Sequence, residues 1–273
     1  MPRHGDVGVA GSTSRSRNDG SGQKIRNYEY ELTAWDTNSN RIFMVLTNPA
    51  RCRYLPFAVF MAFIGIDEII RLFSKYGFIT LGETTLYYLY PLKVLVVACL
   101  LYRYRREYQE LKLKDLAKFS TTFAVCVAGL LVFFLWIHMD WTLGVAEKPR
   151  GFNPALLPGG WVRVVMTMFR VGGAVLVVPL MEELFWRSFL IRYIIDVNFL
   201  KVPVGTFNRA SFLLTVALFG FEHNYILAGM IAGIFYNLIL YRTKSISNCV
   251  LAHAVTNMAL ALYVLSTGKW QFW

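Results

Sequence analysis

"PLMEELFWRSFLIRY" (Pro179–Tyr193) places Glu182, Glu183, Arg187 and Arg192 in a stretch that is otherwise as apolar as a membrane helix. An ionisable group at the centre of a bilayer costs at least about 2.5–3.5 kcal/mol, so four of them point to a protein interior or a wet cavity rather than to lipid. The whole chain fits that setting. Its 273 residues are 56% hydrophobic and 16% aromatic, with a mean hydropathy of +0.43, too apolar for an ordinary soluble domain. The expected fold is all-α, a polytopic transmembrane helix bundle of about 7–8 membrane helices.

Hydrophobic segments lie at roughly 54–73, 85–102, 118–138, 161–181, 183–195, 210–223, 225–241 and 246–266, of which 183–195 and 210–223 are short for a span of about 20 residues. Residues 54–273 are therefore expected to form one helical membrane domain. Residues 1–53 are a polar N-terminal tail, read as partly disordered over its Gly-, Ser- and Arg-rich start, and with no apolar run there they cannot be a secretory signal.

A net charge of +11 would suggest nucleic acid in a soluble protein. Here the basic residues collect between hydrophobic runs, where they set orientation, so no nucleic-acid partner is expected and the lipid bilayer is. The basic loop "RYRREYQELKLKDLAK" (Arg103–Lys118) is placed in the cytoplasm, and with it the N-terminus two crossings upstream. Asp140–Gly160 then lies outside. Cys52, Cys99, Cys126 and Cys249 form no CxxC pair and indicate neither a zinc site nor a disulfide framework. Gly229 and Gly233 have GxxxG spacing and read as helix packing.

Spacing sorts the charges. Asp67 and Arg71, like Glu183 and Arg187, are four apart and share a helix face, which suggests internal ion pairs. Arg192 reads as an edge-seeking side chain. Lys93 and Arg170 have no local partner and either snorkel or pair across helices. Glu182 is turned about 100° from Glu183 and lacks a local cation. It reads either as a general base in a partly hydrated pocket or as a brace to Arg170 or Arg192. Two further segments weigh on that choice: Phe219 and His223 are four apart in one, and His253 and Asn257 four apart on one face of the last. Two imidazoles, a carboxamide and an unpaired carboxylate supply what amide hydrolysis needs, a base for water and donors for an oxyanion.

The set EExxxR, FxxxH and HxxxN on successive hydrophobic segments resembles the CPBP superfamily of intramembrane proteases, which includes the type II CAAX prenyl endopeptidases and the bacterial Abi proteins. The flanking sequence is similar to the bacterial CAAX prenyl protease-related proteins of exosortase and PEP-CTERM systems. The resemblance implies a multi-pass protein of a bacterial plasma membrane that hydrolyses a peptide bond of a membrane-associated or lipidated protein. In it, Glu182 activates water with His223, while His253 and Asn257 stabilise the oxyanion. Glu183, Arg187 and Phe219 shape the site. No cofactor is expected; zinc held by Glu182, His223 and His253 is the runner-up, disfavoured because it would consume the carboxylate needed as base. A non-catalytic scaffold or immunity-type protein that binds a partner in the same pocket is the alternative function. One geometric difficulty accompanies this reading. With 161–181 as a complete inward crossing, Glu182 falls near the cytoplasmic edge and His223 about 20 Å inside it.

Overall fold

The computed structural model describes residues 48–141 and 151–273; the tail over residues 1–47 lies outside them. The described residues form seven helices: α1 (Asn48–Lys75), α2 (Leu89–Tyr104), α3 (Phe119–His138), α4 (Trp161–Ile195), α5 (Arg209–Phe221), α6 (Ile226–Thr243) and α7 (Ile246–Thr267). No strand occurs among them, and the protein is a polytopic helical bundle. Five helices are long and apolar enough to cross a membrane: α2 with its flanking turns, α3, α4, α6 and α7. Helix α1 has 28 residues but carries charges along its length, and the 13 residues of α5 span only about 20 Å.

Two expected segments prove to be one helix. Residues 161–181 and 183–195 run together as α4, which has 35 residues. No helix-ending sequence separates them, and Pro179 is accommodated without a break. Asn48–Arg53, assigned from sequence to the tail, are instead the first turns of α1, with Ala50, Cys52 and Arg53 buried.

The core lies where α3 to α7 meet, around Val125, Val132, Trp186, Phe219, Tyr236, Leu240 and Ala252. The outer faces stay apolar: Phe123, Val127, Leu130 and Phe134 of α3 are exposed, as expected of a helix whose surroundings are lipid. Small residues allow close approach. A Cβ on Gly129 of α3 would sit 2.5 Å from the Ala252 carbonyl oxygen of α7, and Thr256 Oγ1 donates to Gly129 O across that contact at 2.8 Å. Gly229 and Gly233 face α5, where their added Cβ atoms would meet Gly220 and Phe219, so the GxxxG spacing serves packing.

The basic loop after α2 is tied to three helices. Arg53 of α1 grips Glu110 with two 2.7 Å bonds, Ser188 Oγ of α4 donates to the same carboxylate, and Ser247 Oγ of α7 accepts from Lys112 N at 2.8 Å. Arg192 does not seek the membrane edge. It is buried and donates to Val202 O (2.8 Å) and Ser188 O (3.0 Å), because the loop after α4 folds back over it. Nor do Asp67 and Arg71 form an ion pair among the described residues; Asp67 Oδ1 is buried without a hydrogen bond and Arg71 is exposed.

Candidate active site

Glu182 and Glu183 lie in a short α-helical stretch of α4, Val178–Glu183, flanked by two stretches of wider π geometry, Gly173–Val177 and Leu184–Leu190. Such turns re-aim side chains and recur at functional sites. Arg170, Ala174, Val178 and Glu182, spaced four apart, line a cavity of about 210 Å³ together with His223, His253 and Asn257. The four residues expected to act together therefore share one space.

The depth difficulty disappears with the continuity of α4. Thirteen residues separate Glu182 from Ile195, so Glu182 lies about 20 Å along α4 from its end, and α5 returns by a similar distance before His223. The antiparallel pair thus brings Glu182 and His223 to one level. The expectation failed because it ended the crossing at residue 181.

Glu182 Oε2 is buried and has no hydrogen-bond partner; its nearest cation-forming neighbour is His253 Nε2 at 4.0 Å. Neither Arg170 nor Arg192 forms an ion pair with it among the described residues, and the brace reading fails. Glu183, wholly buried, turns the other way: its Oε1 accepts from Arg187 at 3.2 Å and from His253 Nδ1 at 2.9 Å. The Glu183–Arg187 pair expected from spacing is present and has a third member. Because the carboxylate accepts at Nδ1, His253 is held with Nε2 toward Glu182, and its ring stacks on Tyr236 with centroids 4.8 Å apart.

Arg187 is fixed from all sides. Its Nε donates to Asn237 Oδ1 (3.2 Å), whose Nδ2 donates to Thr215 Oγ1 (3.1 Å). The guanidinium lies 4.4 Å from the Phe219 ring and 5.3 Å from that of Tyr236. Phe219 is thereby a platform between Arg187 and His223, the latter at 4.9 Å. His223 Nδ1 lies 2.7 Å from Phe219 O. A carbonyl only accepts, so the proton sits on Nδ1 and Nε2 keeps its lone pair. Asn257 Nδ2 donates to Ala174 O at 2.8 Å, which leaves its second amide hydrogen free of that bond.

Glu222, the residue before His223, belongs here. Both of its oxygens are buried without a hydrogen-bond partner, and donor atoms of Glu182, Glu222 and His223 all lie within 4.8 Å of one another. Two carboxylates and an imidazole have the chemistry to hold a divalent cation such as zinc. That trio differs from the one expected, with Glu222 in the place of His253. Asn237 and Thr215 were not anticipated; a carboxamide in the middle of the apolar run of α6 is the signal that pointed to Asn237.

Residues 163–259 match the model of a family described as type II CAAX prenyl endopeptidase Rce1-like. No curated protein and no solved structure matches the chain. The matched stretch runs from α4 into α7 and contains Glu182, Glu183, Arg187, Phe219, Glu222, His223, His253 and Asn257, so the similarity to that family falls on the elements that enclose the cavity.

Proposed function

We propose that the protein is an intramembrane endopeptidase in which Glu182 activates water against a peptide bond of a membrane-associated substrate. The family match supports a CAAX-protease-like endopeptidase in general. The observation that carries the mechanism is the unpartnered Glu182 Oε2, facing a cavity that it shares with His223, His253 and Asn257.

A water between Glu182 and His223 Nε2 gives its proton to the carboxylate as its oxygen bonds to the scissile carbonyl carbon. The carbonyl becomes an oxyanion bordered by His253 and Asn257. The carbon–nitrogen bond then breaks and Glu182 returns the proton to the leaving amine. Glu183 and Arg187 hold His253 in place, and Phe219 supports both Arg187 and His223. The basic excess of the Arg103–Lys118 loop supports a cytoplasmic N-terminus. We carry the bacterial plasma membrane and the exosortase association as parts of the same proposal, resting on resemblance alone.

In purified protein, Glu182→Gln should reduce cleavage of a membrane-peptide substrate by at least about 100-fold, the usual scale for a general base, with thermal unfolding unchanged. Unaltered turnover sinks the mechanism; unaltered function in cells without any cleavage favours partner binding. The grouping of Glu182, Glu222 and His223 favours one second reading, a metal-assisted hydrolysis in which a cation would supply the activated water. Loss of activity with chelator and recovery with zinc would select it.

A further inference from the structure

Lys93 and Arg170 have no part in the chemistry above, yet both border the space beside it. Lys93 of α2 is only 7% exposed and makes no hydrogen bond or ion pair among the described residues. Its ammonium lies 4.6 Å from the Phe60 ring and 5.1 Å from that of Tyr90. The Arg170 guanidinium lies 4.7 Å from the same Tyr90 ring and 5.6 Å from that of Trp273, with its Nε buried and unpartnered. Two cations thus share one aromatic ring inside the bundle. Contacts to ring faces return less than the hydration an ammonium and a guanidinium give up, and like charges so close oppose each other. Asp67 acts on Lys93 from α1 but forms no ion pair with it, and no carboxylate among the described residues pairs with Arg170. An anion is the missing member.

Both side chains line a cavity of about 330 Å³ with Glu182, Glu222, His223 and Asn224. That cavity is lined by both acidic and basic groups. Along α4, Arg170 and Glu182 are twelve residues apart, about 18 Å, which an extended peptide covers in about five residues. We propose that Lys93 and Arg170 form a subsite for a carboxylate of the bound peptide, within about five residues of the scissile bond. That carboxylate is the peptide's terminal group or an acidic side chain. The subsite deepens the endopeptidase reading and rests on it for the direction of the bound chain.

The test reads binding, not turnover. Full-length Glu182→Gln protein in detergent micelles is titrated with three acetylated pentapeptides of Ala and Leu: a free acid, its C-terminal amide, and an amide with Glu at the last position. Tryptophan fluorescence reports occupancy, because Trp273 flanks Arg170 and Trp136 lines the same cavity. At least one acidic peptide should bind about 10-fold tighter than the neutral amide. The tighter of the two identifies the source of the carboxylate. Lys93→Met and Arg170→Gln should each remove that preference while the neutral amide binds as before, which also reports intact folding, and Lys93→Arg should keep it. Equal affinities for all three peptides, or a preference that survives both substitutions, overturns the subsite. So does dioleoyl phosphatidate binding at the pair in place of the acidic peptides. Wild-type protein that binds the acidic peptide without cleaving any peptide counts against the endopeptidase reading alone. Cleavage without charge preference counts against the subsite alone.

Discussion

Asn257 supplies to Ala174 the hydrogen bond that Pro179 withholds. In the π stretch, Val178 donates to Gly173 O, five residues back, so the next donor in sequence would serve Ala174 O. That donor is residue 179, a proline with no N–H. The Ala174 carbonyl receives no donor from that position, and Asn257 Nδ2 reaches it from α7 at 2.8 Å. A candidate oxyanion residue is therefore positioned by a gap in the backbone of the helix that carries the candidate base.

Asn257→Ala should destabilise the protein by about 1 kcal/mol, the usual net worth of one intramolecular hydrogen bond, because Ala174 is only partly buried. Adding Pro179→Ala restores an N–H on α4 and should recover part of the loss, measured as unfolding temperature in detergent. Activity should stay low in the double variant, because the repaired carbonyl brings no donor back to the cavity. Full recovery of activity would make Asn257 a purely structural residue.

Glu183 neutralises a wholly buried Arg187 and holds His253 through a single oxygen. Removing one partner of a buried pair typically costs about 3–5 kcal/mol, so Glu183→Gln should unfold at a clearly lower temperature, unlike Glu182→Gln. Combining Glu183→Gln with Arg187→Met should recover stability without recovering activity, since a neutral amide oxygen holds His253 more weakly than the carboxylate does. Equal stability of the Glu182 and Glu183 variants would contradict the division of labour between these neighbours.

That division was partly readable in the sequence. Glu183 and Arg187 are four apart, and helical periodicity alone puts them together. The third member, His253, is 70 residues away from Glu183, and no local period reports a contact of that kind. The depth of Glu182 was misjudged for a related reason. A hydropathy window ends at charged residues, whereas the helix runs through them because its backbone bonds are satisfied on both sides. The same limit applies to Arg192, whose partners Val202 O and Ser188 O are carbonyls that carry no side-chain signature. Asp67 and Arg71 show the converse failure: correct spacing gives a shared face, but an exposed arginine gains little by pairing.

Gly229 offers a test of packing against the site. A Cβ there would lie 3.0 Å from Gly220 Cα and 3.2 Å from His223 Nδ1. Backbone cannot yield easily, so Gly229→Ala should separate α5 from α6 and shift the His223 ring. The expected result is a loss of activity of about 10-fold or more, on the scale that follows small misplacements of catalytic groups, with destabilisation of about 1–3 kcal/mol. Gly233→Ala is the control, because its Cβ would meet the Phe219 ring at an easier 3.4 Å. Equal losses in the two variants would show that His223 is not the sensitive element.

Glu110 gives the fold a pH dependence of its own, in the loop outside the spans. Burial acts to raise its carboxyl, but the two bonds from Arg53 and the one from Ser188 outweigh it and hold the group below the ordinary carboxylate range. A carboxyl lowered in the folded state contributes stability that is fully present above its unfolded value, near 4.5, and is lost as pH falls through the folded value. Stability should therefore hold from neutral pH down to about 5 and decline below the usual glutamate range. Glu110→Gln should lower stability at pH 7, because Arg53 then lies buried without its anion, and should flatten the acid limb. Unfolding temperatures of both proteins from pH 7 to pH 3 decide it: parallel curves would mean that the Arg53 grip on Glu110 is not what ties the loop to α1.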